Sequence, residues 1–282
     1  MAKEMKTRTE KRIQIKKKLP LIAIIAGGVI LLAAALTAAA LISRGGDAEP
    51  AETTSVTTPG TDKAAPDVPE QTKLGEYVSP KDFDELCKTY PDTVAYIEIP
   101  DTTVSYPVVQ HPTYDPFYLN HYYDGNYNPA GSIYIESYNK GDFSDPVTVI
   151  YGHNMNGNTS AKPPYFSFFQ RSYSDAEYMK EHGTITVYLP DREIEYRIAA
   201  AVEFSNRHLM YETDYSDKNT LDALISEIYA SSGKDNCFAE GERITGDKPI
   251  LILSTCYMWN DSLRYLIVAE QTDVKTAEKL PD

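Results

Sequence analysis

The stretch Pro249–Val268, "PILILSTCYMWNDSLRYLIV", decides how this chain is read. The run 250–255 ("ILILST") stops at Cys256, and a second β-rich run, 264–270 ("RYLIVAE"), follows a short loop, 257–263. Two such runs read as the strands of a hairpin. The hairpin brings Arg264 back beside Cys256. A thiolate is the reactive form of cysteine, and a neighbouring cation favours it. A guanidinium also offers a planar fork of donors to a carbonyl or an oxyanion. The backbone N–H of Tyr257 is a further candidate donor.

A second stretch, "VIYGHNMNGNTS" (Val149–Ser160), has the same form. An apolar run ends at Gly152 and His153 follows at once. Strand ends opening into loops are where a scaffold presents reactive groups. Taken singly, a Cys at a strand end is a packing residue, a His after Gly a turn residue, and an Arg at a strand start a surface charge. Their conjunction points to catalysis. His111, His121, His182 and His208 lack such a setting.

Further β-rich runs lie at 94–99, 104–110, 132–137, 147–151, 184–189 and 193–204, bounded by Pro, Gly, Asp and Asn. With 250–255 and 264–270 they make eight strands, which predicts a mainly β fold, a closed or nearly closed barrel. Ser79 and Pro80 signal a helix start, with Phe83, Leu86 and Cys87 on one face, so Cys87 is expected in the core. The strongest helix is 216–231, where Leu221, Leu224, Ile225 and Ile228 form a stripe. It falls in the long connection between the sixth and seventh predicted strands.

The remainder of the chain divides sharply. Residues 1–18 hold eight basic residues and two acids, and residues 19–42 carry no charge. About 20 apolar residues span a bilayer as a helix. The basic flank then places the N-terminus in the cytoplasm and the rest outside. An uncleaved single-pass anchor is favoured over a cleaved leader, whose apolar core would be shorter. Residues 43–73 have the composition of a flexible linker, residues 74–273 that of one globular domain, and 274–282 that of a polar tail.

Of a total net charge of −14, the N-terminal 18 residues contribute +6, so the rest carries about −20. That excludes nucleic acid as a partner, because phosphate binding needs clustered Lys and Arg. Three cysteines, Cys87, Cys237 and Cys256, leave at least one free thiol, with a Cys87–Cys237 disulfide open. No zinc-ligand spacing is present, so no metal site is expected.

"YGHNM" (151–155), "LSTC" (253–256) and Arg264 together resemble the signature of the sortases, the cysteine transpeptidases of Gram-positive surfaces. The run 106–137, "YPVVQHPTYDPFYLNHYYDGNYNPAGSIYIES", and the helix inside the connection 205–249 resemble class B in particular. The resemblance covers residues 76–270. It implies an eight-stranded sortase β-barrel with an N-terminal helical extension, and no cofactor. It further implies Cys256 as nucleophile, His153 as general acid/base and Arg264 as oxyanion or substrate clamp. Ser254, Tyr151 and Leu119 match positions near the family's substrate groove. The implied partners are secreted surface proteins bearing a C-terminal sorting motif, and a lipid-linked peptidoglycan precursor or peptidoglycan amine that accepts them. The competing readings are a pilin-polymerising sortase using a pilin lysine, a secreted cysteine protease or amidase, and a non-catalytic surface binding domain.

Overall fold

The computed structural model describes residues 77–155, 164–241 and 243–276. The expected anchor and linker, 19–42 and 43–73, lie outside them. Among the described residues no helix is long and apolar enough to cross a membrane.

The strands are β1 (Thr93–Glu98), β2 (Ser105–Val109), β3 (Val147–Tyr151), β4 (Thr184–Tyr188), β5 (Arg192–Ser205), β6 (Cys237–Phe238), β7 (Ile250–Cys256) and β8 (Leu263–Thr276). They form one sheet in the order β2-β1-β4-β5-β8-β7-β3, with β6 added beside β5. All pairings are antiparallel except β3 with β7. The fold is mainly β, as expected, but two details differ. The run 132–137 forms no strand, and the two-residue β6 was not foreseen. Strand β8 also runs on past the expected domain end, pairing Val274–Thr276 with Arg192–Ile194.

The run 132–137 has another task. β2 and β3 are the two edges of the sheet, and Tyr134 bridges both Val109 and Tyr151. Four backbone bonds, at 2.8–3.1 Å, join Ile133–Ile135 to those two residues. One tripeptide therefore curls the sheet shut, pairing edges that would otherwise stand open.

Burial explains the solid apolar runs. β7 is buried at every position but the last. Leu251 and Leu253 point into the barrel core, whereas Ile250 and Ile252 belong to a second core outside it. The outer core is covered by α4 (Lys218–Ala230), capped by Asp217, through Leu221, Leu224 and Ile228. A strand buried on both faces shows no alternation, which is why its sequence is continuous. In β5 a bulge between Ile198 and Ala200 shifts the phase, so Ile194, Tyr196 and Ile198 face inward, and later Ala201 does.

The other helices are short: α1 (Phe83–Thr89), a 3-10 turn (Asp115–Leu119), α2 (Phe169–Ser172) and α3 (Ala176–Glu181). The helical extension thus starts later than Ser79-Pro80 suggested. Asp82 caps it by accepting the Glu85 N–H. Only Phe83 of this helix is buried; Cys87 is exposed, contrary to expectation. All three cysteines are free, so Cys87 and Cys237 do not pair.

Candidate active site

The parallel pair β3–β7 fixes the site. Its register sets Tyr151 opposite Ser254, and the Gly152 N–H continues it to the Ser254 carbonyl at 3.1 Å. His153 therefore leaves the sheet next to the strand that ends in Cys256. A Cβ at Gly152 would lie 2.5 Å from Ile133 and 2.6 Å from Phe166. The glycine is what lets the strand end sink against those side chains and turn His153 outward. Gly131, with φ +60, is required for a similar reason: a Cβ there would meet the Leu119 carbonyl at 2.6 Å and the His153 ring at 3.0 Å.

The sheet's period of two assigns the faces. Ile250 and Ile252 lie on the outer face, so Ser254 and Cys256 do too, beyond the cover of α4. On β8, Arg264 shares that face with Leu266 and Val268. Cys256 and Arg264 are direct cross-strand partners. The Tyr257 N–H bonds the Leu263 carbonyl at 3.3 Å, so they form a non-hydrogen-bonded pair, the kind whose side chains stand closest.

Together these residues floor a groove of about 470 Å³, walled by the 3-10 turn and by residues 204–209. Cys256, His153, Arg264, Ser254, Tyr151 and Leu119 all line it. His153 Nε2 lies 2.6 Å from the Leu119 carbonyl, so in the neutral ring this nitrogen carries the proton and Nδ1 does not. Arg264 Nη1 donates to the carbonyls of Leu263 and Asp261, at 3.0 and 3.3 Å, leaving the rest of its fork for a ligand.

Tyr257 is the exception among the residues singled out. It follows Cys256 and so faces the opposite way, into the barrel core. Its hydroxyl contacts the carboxylates of Asp235 and Glu203 at 2.6 and 3.0 Å. Burial and those acceptors push its phenol well above the usual range. Its N–H is already committed to Leu263, so it is no free oxyanion donor in this conformation. Its place is behind the site. Gln170 of α2 links Asp235 and the Met258 N–H, both at 2.7 Å, clamping the turn after Cys256.

Sequence reasoning missed three residues of this region. Asn154, buried, donates to the Cys256 carbonyl at 3.0 Å and ties the two strand ends together. Its place directly after His153 was the available signal. Glu136 and His208 also line the groove, with Glu136 Oε2 2.8 Å from His208 Nε2. They come from distant connections, and no local pattern marks them.

No protein-family model matches the chain. A curated relative named Sortase B, from Listeria monocytogenes, is 28% identical over 61% of this chain and 65% of its own length. Another Sortase B, from Staphylococcus aureus, is 24% identical over 65% of this chain and 70% of its own. The crystal structure of Clostridium perfringens sortase B superposes with a TM-score of 0.57 at 25% identity, covering 68% of this chain and all of that one. In sequence and fold, the chain is similar to the class B sortases. The matched segment spans just under two thirds of the Listeria sortase. The strand pattern implied a barrel, and the resemblance carried by "YGHNM", "LSTC" and Arg264 implied the sortase one.

Proposed function

We propose that this chain is a cysteine transpeptidase of the sortase type. The observation that carries the reading is the convergence on one groove of Cys256, its cross-strand partner Arg264, and His153. The Cys256 thiolate attacks the carbonyl of the residue before the scissile bond, a Thr in a sorting motif. The free fork of Arg264 holds the carbonyl oxygen as it becomes an oxyanion. His153 protonates the departing amine, and a thioacyl-enzyme remains. An incoming amine then attacks the thioester, His153 takes its proton, and the thiolate leaves. The sum is exchange of one amide for another. Ser254, Tyr151 and Leu119 form the floor and wall against which the peptide lies.

In this reading residues 1–18 stay in the cytoplasm, 19–42 anchor the chain in the cell membrane, and 43–73 tether the catalytic domain, 74–273, outside. The donors are secreted surface proteins with a C-terminal sorting motif. The acceptor is a peptidoglycan amine or its lipid-linked precursor.

The test is to incubate the full chain with a library of sorting-motif peptides, with and without added amines, and to weigh intact protein and products. A thioacyl adduct on Cys256 that passes to the amine supports the proposal. Hydrolysis alone would make the protein a protease, and an adduct on Cys237 would overturn the site.

A further inference from the structure

The acyl chemistry uses one end of the groove, and the other end holds groups that no step requires. Glu136 and Asp115 present carboxylates there. Asp115 is pinned by the Ser137 N–H at 2.5 Å and the Ser137 hydroxyl at 3.0 Å. His208 is pinned as well. Its Nδ1 accepts the backbone N–H groups of Met210 and Tyr211 at 3.2 and 2.9 Å, so Nε2 is the protonated nitrogen of the neutral ring.

Aromatic rings stand around these charges. Tyr138 meets His208 edge-on at 5.4 Å and Tyr211 at 6.3 Å, and Tyr151 lies 6.4 Å from His208. Tyr138 and Tyr211 are exposed, and each meets His208 edge-on. Glu136 Oε2 faces His208 Nε2 at 2.8 Å, a nitrogen that carries a proton in either charge state of this ring. Of the two guanidiniums that line the groove, Arg207 pairs with Glu227 at 2.6 Å and lies over the Phe204 ring, and Arg264 is the cross-strand partner of Cys256 at the other end.

Carboxylates framed by aromatic faces and edges are the surroundings that a desolvated cation prefers. We propose that this end of the groove is a cation box. It takes the ammonium or guanidinium of a substrate lying in the groove, with Glu136 as counter-charge and Tyr138 and Tyr211 as walls. The inference rests on the transpeptidase reading for the identity of that substrate, and it names what the substrate must carry. Glu136, Asp115 and Tyr138 line the same groove as Cys256 and Arg264, so the box and the thiol share it. The cation can belong to the donor peptide or to the acceptor amine.

Three measurements on the full chain test this. In the first, n-butylammonium chloride or n-butanol is titrated into protein carrying 13C-labelled tyrosine. The ammonium should shift the Tyr138 and Tyr211 ring signals saturably and the alcohol should not. This readout is independent of Cys256, so it survives failure of the transpeptidase reading; equal response to both probes overturns the box. In the second, peptides with Lys or norleucine at each position before the scissile bond are compared by Cys256 acylation. A donor cation should give about a tenfold Lys preference in kcat/KM at one position. Glu136→Gln, and separately the surface change Tyr211→Leu, should bring that ratio close to one. In the third, the KM for n-butylamine is measured on preformed thioacyl-enzyme. Its rise in both variants, with no Lys preference in the peptide, assigns the box to the acceptor. A peptide preference and an amine KM that both variants leave unchanged would refute the proposal.

Discussion

The two ends of the groove are built by different means. At the Cys256 end, Cys256 and Arg264 are delivered by strands and His153 by the second residue past one, so register fixes who faces whom. At the Glu136 end the groups come from the 3-10 turn, the closing tripeptide's flank and the connection after β5, held by side-chain-to-backbone bonds. Strands cannot move one residue without inverting their faces. Loops can exchange residues freely. On the proposed reading, reaction geometry is carried by the rigid part and selection by the replaceable part.

The sharpest way to break this division is at the thiol. Cys256→Ala should remove acyl adduct and amide transfer below detection, whereas Cys87→Ala and Cys237→Ala should keep both. Cys237 is buried and its thiol is pushed up by that burial, so it should also be the slower of the two to alkylate in the Cys256→Ala protein. Transfer surviving in Cys256→Ala would end the assignment. Next in size is Arg264→Lys, which keeps charge and loses the fork. If geometry matters, acylation should fall by about 100- to 1000-fold. Near-normal acylation would show that the cation acts by charge alone.

A structural change at the same end should cost less. Gly152→Ala forces a methyl into Ile133 and Phe166, and overpacking of this kind costs about 1–3 kcal/mol. Thermal unfolding should shift down, and turnover should fall with it because His153 is displaced. An unaltered melting temperature would mean that Ile133 and Phe166 yield freely.

The smallest effect belongs to the other end. Burial raises the Glu136 carboxyl above its ordinary value, with the nearby Asp115 adding to the rise and His208 opposing it. A raised carboxyl favours the folded state at low pH, and that advantage disappears as pH climbs through the folded value. Glu136→Gln should therefore gain stability relative to the native chain as pH rises above the ordinary carboxyl range, and match it below. Melting curves across that range check the sign; a variant losing ground toward pH 7 would show that His208 more than compensates the buried charge.

The same division governs what the sequence discloses. The Cys256–Arg264 hairpin is legible because it is local: two apolar runs and a short loop leave one way to fold back. His153 is legible because its run ends at a glycine in a matching way. The Tyr257 N–H is expected as a free donor, but the hairpin's own register commits it to the Leu263 carbonyl. Cys87 was misplaced because the helix begins at the Asp82 cap and not at Pro80, and most of its faces meet solvent. The run 132–137 has the β-rich composition of a strand, yet its middle residue serves two edges at once, which composition does not encode. Glu136 and His208 were illegible for a plainer reason. They meet across 72 positions of chain, and nothing near either one anticipates the other.

The parallel pairing of β3 with β7 also sets a timetable. Val147 and Ile250 are partners across roughly a hundred residues, and contacts so distant in sequence form late and slowly. A chain ending before Pro249 would hold His153 and the closing tripeptide but neither the floor of the groove nor the thiol. On the proposed reading, the nucleophile meets its histidine only after β7 has been delivered, and a copy stopped before that strand is chemically silent.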